Sequence, residues 1–82
     1  MRLDKYLKVS RIIKRRTIAN EACDAGRVFV GDKPVRASYE VKIGDRITVS
    51  FGGHKVTFEV LSVSETVKKD EAASLYRLIS EE

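Results

Sequence analysis

MRLDKYLKVSRIIKRRT, residues 1–17, is the stretch on which the reading of this chain turns. Seven of its residues are Lys or Arg (Arg2, Lys5, Lys8, Arg11, Lys14, Arg15, Arg16), and Asp4 is its one acid. Between the charges stand Leu3, Tyr6, Leu7, Val9, Ile12 and Ile13. Leu3, Tyr6 and Leu7 fall at i, i+3 and i+4, the apolar stripe of an amphipathic helix, with the charges mostly on the other face. A solvated basic arm would carry no such stripe. The stretch is therefore a folded basic surface.

Working outward, a first helix is predicted from about Leu3 to Val9, with Asp4 in its first turn, where a carboxylate suits the macrodipole. Ser10 and Arg11 make the turn that follows, and Ile12 and Ile13 fill the corner. A second helix is predicted to begin near Arg15 and run through TIANEACDA. Ile18, Ala19, Ala22 and Cys23 recur at helical spacing and are read as its buried face, and Gly26 takes the C-cap position. Cys23 is read as a small core residue on that face.

Beyond Gly26 the period becomes alternating. Val28 and Val30 flank Phe29, and Gly31-Asp32 offers a two-residue turn in which glycine supplies positive φ. A short strand over Lys33–Val35 follows, placed at an edge by Pro34. Lys42-Ile43-Gly44-Asp45 is a second turn. RITVSF (46–51) alternates Ile47, Val49 and Phe51 inward, and KVTFEVLSV (55–63) alternates again through Val56, Phe58 and Val60 after the Gly52-Gly53-His54 break. Phe29, Phe51 and Phe58 are all read as core. The class is α+β: two N-terminal helices packed on a small, mostly antiparallel sheet. In the tail, Asp70–Tyr76 has helix-forming composition, so a short helix is favoured there, with a last strand over YRLIS as the alternative. The expected organisation is an RNA-binding domain over 1–64 and an extension over 65–82 packed on or flanking it.

At 82 residues the chain makes one small domain. No apolar run reaches the ~20 residues of a membrane span, and residues 1–17 lack a signal peptide's apolar region. A cytoplasmic location without membrane contact is expected. One cysteine excludes an internal disulfide and a multi-cysteine zinc site. Charge is polarised. Residues 1–36 hold ten Lys/Arg against four Asp/Glu, whereas residues 37–82 hold six against eight. One face thus addresses an anionic partner, with nucleic acid the leading class.

The KRR run at 14–16 carries this furthest. It falls at the predicted start of the second helix, where cations are disfavoured by roughly 0.3–1 kcal/mol each. A sequence serving only its fold places acids, Ser or Asp there. Arg and Lys beside the backbone N–H groups of a helix start form a phosphate site, which would explain the violation, with a solvated basic turn as the bland alternative. Arg16, Asn20 and Asp24 share a helix face, so Arg16 is expected to be exposed, with a surface pair to Asn20 as the bland alternative. Tyr6 is read as core because it lies on the Leu3/Leu7 stripe. His54, the sole histidine, sits in a glycine turn, and no serine or cysteine has a histidine base near it in sequence. No catalytic residue, metal ligand set or cofactor motif is expected, and the chain is read as a non-enzyme.

Taken in order, RLDKYL, SR, KRR-T, Gly26, VFV, a glycine turn, AS and KIGDRITV resemble the S-four RNA-binding domain, or alpha-L motif, over roughly residues 2–50. That family usually has Val-Asn-Gly at its first hairpin, where this chain has Val30-Gly31-Asp32. LKVSRIIKRRT and EAASLYRLISEE look most like small stand-alone bacterial members acting in ribosome-associated quality control, related to the heat-shock protein fifteen family. The resemblance implies binding to ribosomal RNA of the large subunit and to tRNA on split, stalled ribosomes. It also implies an NFACT-type partner protein and support of C-terminal alanine tailing of nascent chains. By motif position it implies an RNA-facing set of Arg2, Lys5, Arg11, Lys14, Arg15, Arg16 and Thr17, to which the charge cluster adds Lys8. Asp4 would orient an arginine or cap the helix. A monomer off the ribosome is expected. The competing readings are a general ribosomal-RNA-binding or assembly module and a regulatory module acting mainly through a protein. The Met1 start and lack of a linker tell against a domain cut from an RNA-modifying enzyme.

Overall fold

The structure, a computed structural model, describes residues 1–64, 72 and 74–81. Helices α1 (Leu3–Val9) and α2 (Arg16–Asp24) lead into strands β1 (Val28–Val30), β2 (Lys33–Pro34), β3 (Arg46–Phe51), β4 (His54–Val60) and β5 (Tyr76–Glu81). The strands form one sheet in the order β2-β1-β3-β4-β5, with every pairing antiparallel.

At seven residues, α1 is too short to persist alone. Its stripe holds it: Leu3, Tyr6 and Leu7 are wholly buried, which stabilises by roughly 1.5–3 kcal/mol for each side chain. No side chain caps its start. Instead the amides of Leu3 and Asp4 donate to the carbonyls of Tyr39 and Ala37, at 2.8 and 3.2 Å, so the 37–41 segment serves as a backbone cap. An antiparallel bridge from Arg2 to Glu40 continues that seam. At the other end Arg11 adopts φ 62°, a left-handed conformation usually left to glycine. Helix α2 ends in a Schellman arrangement: Gly26 at φ 75° donates to Cys23, and Arg27 donates to Ala22.

Ala19 and Cys23 bring α2 against β1, β3 and β4, whose Val28, Ile47, Val49, Phe58 and Val60 complete the core. The turn expected at Gly31-Asp32 forms, with Gly31 at φ 63° and Val30 facing Lys33. The Lys42–Asp45 turn is closed by Asp45, which accepts from the Lys42 amide and the Tyr39 hydroxyl, both at 2.9 Å.

Three expectations change. Ile18 is 47% exposed because the buried stripe of α2 runs through Ala19 and Cys23, which leaves Ile18 on the flank beside Ile13, Ala22 and Phe51. Phe29 is half-buried but lies on the sheet face away from the helices, since it pairs with Thr48 and Pro34 while Val28 and Val30 take the core side. The tail ends in a strand: β5 pairs with β4 from Tyr76 to Glu81, with a bulge at Thr57/Phe58. Of the helix favoured over 70–76, Ala72, Ser74 and Leu75 are in 3-10 helical conformation and Tyr76 belongs to the strand, while residues 70, 71 and 73 lie outside the described residues. Phe58 draws this strand in, stacking on Tyr6 at 6.4 Å and meeting Tyr76 edge-on at 5.6 Å.

Candidate nucleic-acid interface

The basic stretch folds around a buried acid. Asp4, in the first turn of α1, has a side chain only 3% exposed. Its Oδ1 accepts from the Lys5 amide at 2.8 Å and lies 3.3 Å from Arg2 Nε. Its Oδ2 accepts from Arg16 Nε and from Asn20 Nδ2, each at 3.3 Å. Burial pushes the Asp4 carboxyl up, but the hydrogen bonds from Asn20, Arg16 and Lys5 and the Arg16 charge outweigh it. The group therefore titrates below the usual carboxylate range.

The consequence lies outside the carboxylate. The Arg2 and Arg16 side chains are 53% and 47% exposed, and both use Nε inward. Their terminal guanidinium nitrogens have no partner among the described residues. Two half-anchored forks of this kind suit a phosphate oxyanion, which guanidinium binds bidentately. Arg15 is the N-cap residue of α2, with no side-chain cap, and the first turn of α2 holds no acid. The helix start is thus left open beside cations.

The remaining residues of the expected set divide. Thr17 is exposed and lines a hollow over Asp4 together with Arg16, Asn20 and Glu21. Lys8 is exposed in the last turn of α1, Lys14 and Arg15 are exposed just ahead of α2, and Lys5 is half-buried. Arg11 faces elsewhere, over a groove formed by Ile12, Phe51, Val56 and Leu78. Asn20 and Glu21 had no functional reading from sequence. The signal for Asn20 was its position one turn after Arg16.

Residues 1–47 match the S4 domain family. The chain belongs to that family. It is 51% identical over 82 residues to the RQC P-site tRNA stabilizing factor of Bacillus subtilis (strain 168), covering all of this chain and 95% of that protein. The protein of the same description from Streptococcus pneumoniae (strain R6) is 47% identical over 81 residues, covering 99% of this chain and 92% of its own length. Among solved structures, the trimeric heat shock protein 15 of Vibrio cholerae superposes with a TM-score of 0.88 at 31% identity, covering 98% of this chain and 82% of that one.

Proposed function

We propose that this protein is a non-enzymatic RNA-binding factor that steadies tRNA on the large ribosomal subunit during quality control of stalled translation. The observation that carries it is the Arg2–Asp4–Arg16 assembly, which presents two guanidinium forks on one surface with their outward nitrogens unspent. The relatives described as RQC P-site tRNA stabilizing factors support the cellular setting. Residues 1–64 carry the RNA-binding domain, and 65–82 extend it. Ribosomal RNA of the large subunit and tRNA are the partners, with Arg2, Lys5, Lys8, Lys14, Arg15, Arg16 and Thr17 facing RNA and Arg11 set apart over its own groove. An NFACT-type protein works beside it in alanine tailing. The protein is cytoplasmic and monomeric off the ribosome. Among the described residues, no helix is long and apolar enough to cross a membrane.

The test is sucrose-gradient sedimentation of an Arg2→Ala, Arg16→Ala double variant, beside a blot for C-terminally extended nascent chains. The folded variant is expected to leave the large-subunit fractions and to stop tailing. Arg16→Lys is expected to rescue the single Arg16→Ala loss only in part, because charge returns without the fork. Co-migration of the folded double variant with large subunits would refute the assignment of this face.

A further inference from the structure

The carboxylate that anchors the two arginines also dictates how Asn20 is turned. An ionised carboxylate only accepts, so the planar amide must offer Asp4 its NH2, and its carbonyl oxygen faces away. Asn20 Nδ2 donates to Asp4 Oδ2 at 3.3 Å, and Asn20 Oδ1 has no partner among the described residues. Asn20, Thr17 and Glu21 line the hollow whose other members are Arg16 and Asp4. This mixture is wrong for a phosphate. Arg16 lines the hollow, but so do Asn20, with its unpaired carbonyl oxygen, and the Glu21 carboxylate, and both oxygens repel an anion. What fits beside them is an uncharged group that donates a hydrogen bond, next to a phosphate held by the arginines.

Resting on the RNA reading above, we infer that the hollow receives the ribose 2′-hydroxyl next to the phosphate held by Arg2 and Arg16. Asn20 Oδ1 accepts its proton, and the Thr17 hydroxyl flanks it. The sugar is the part of a nucleotide bonded to the phosphate, so it reaches the hollow before a base edge does. Glu21 keeps the next phosphate from sliding into the same space. A deoxyribose leaves the Asn20 carbonyl unmatched, which makes the hollow the place where this surface tells RNA from DNA.

The experiment is a cycle measured by fluorescence anisotropy at fixed salt. The probe is one RNA hairpin carrying a single 2′-deoxy substitution walked along its length, so that duplex shape is kept. At the sensitive position, 2′-deoxy substitution and Asn20→Ala are each expected to weaken binding roughly five- to tenfold, the worth of one neutral hydrogen bond. Together they should weaken it no more than either alone, a coupling that a merely structural Asn20 would not give. If circular dichroism shows Asn20→Ala unfolded, Thr17→Val, exposed on the same hollow, takes its place in the cycle. Additive losses, indifference of the wild type to every deoxy position, or sensitivity that follows base identity would each overturn the inference. The salt response separates this from failure of the underlying reading. A steep response with no deoxy effect sinks the 2′-hydroxyl assignment alone, and a flat one sinks the phosphate site and this inference with it.

Discussion

Arg2 and Arg16 are held on opposite oxygens of a single buried carboxylate, each by its Nε at 3.3 Å from Asp4. One arginine precedes the first helix and the other opens the second, so the ion pairs tie the two helices and aim both cations. A surface ion pair contributes little, about 0–1 kcal/mol. Here the acid is buried and the arginines are not: without the arginines Asp4 keeps only the Lys5 amide and Asn20, whereas without Asp4 the arginines can hydrate. The consequence is asymmetric.

Asp4→Asn is expected to destabilise the domain by about 1–3 kcal/mol, since the amide keeps the shape but loses the charge that three hydrogen-bond donors and the Arg2 ion pair address. The pH dependence has a definite sign. Because the folded Asp4 titrates below its ordinary value of 3.8, its contribution is present above that pH and is lost as pH falls through the lower folded value. Urea titrations at a series of pH values should show a constant gap between wild type and Asp4→Asn down to about pH 4, closing below it. A gap that closes already near neutrality would contradict the geometry.

RNA affinity should fall steeply with ionic strength. If about four phosphates are contacted on a duplex, the log–log slope is about −3.6 by the B-DNA relation. Anisotropy titrations between low and physiological salt measure it directly. A slope near zero would point to a protein partner instead.

The register of α2 is open to a paired test. Ile18→Asp, at a site 47% exposed, is expected to change stability by no more than about 0.5 kcal/mol. Ala19→Asp, wholly buried, should prevent folding by placing an unpaired charge in the core. Thermal melts of the two variants decide it.

That pair also marks how far the sequence could be read. The Leu3/Tyr6/Leu7 stripe, Gly26 as a helix stop and the strand over 46–51 were legible because each rests on local periodicity or on one residue's conformational freedom. Ile18 was misjudged because a helix of nine residues has room for only one narrow buried stripe, and which residues fall on it depends on what packs there. Phe29 was misjudged because its hydrophobicity was weighed above its parity with Val28 and Val30. The last strand stands in the sequence only as the alternative over YRLIS, because Tyr76–Glu81 shows no clean alternation and fifteen residues separate it from its partner β4. At the site, the cations were visible as composition, and Asp4 was visible as an orienting group. That it holds two arginines and Asn20 together required the crossing of α1 and α2, which no spacing encodes.

Cys23 should be inert in the native protein. Burial, with added repulsion from Asp4 and Asp24, pushes its thiol up to about 11 from an ordinary 9.0. At pH 8 its reaction with a thiol-exchange reagent is therefore expected to be roughly a hundredfold slower than in urea, or slower still because the sulfur is covered. Rapid labelling of the native chain would contradict the packing of α2.

Tyr6→Phe removes the hydroxyl that donates to the Leu75 carbonyl at 2.7 Å in the core. The Leu75 carbonyl keeps the Leu61 and Ser62 amides, at 2.9 and 3.2 Å, so the loss is that of one net hydrogen bond, about 0.5–1.5 kcal/mol, read as a lowered urea midpoint with no change in RNA salt slope.

That same bond joins groups 69 positions apart, a tie from the basic helix to the far end of the described residues. During synthesis the arginine-bearing end leaves the exit tunnel first, while Leu75 is still inside or not yet made. The hydroxyl of Tyr6 must wait for that acceptor, so the first helix is translated early and receives this anchor late. The basic helix therefore gains its full burial only when the last strand is in place, although every residue of that helix is translated before it.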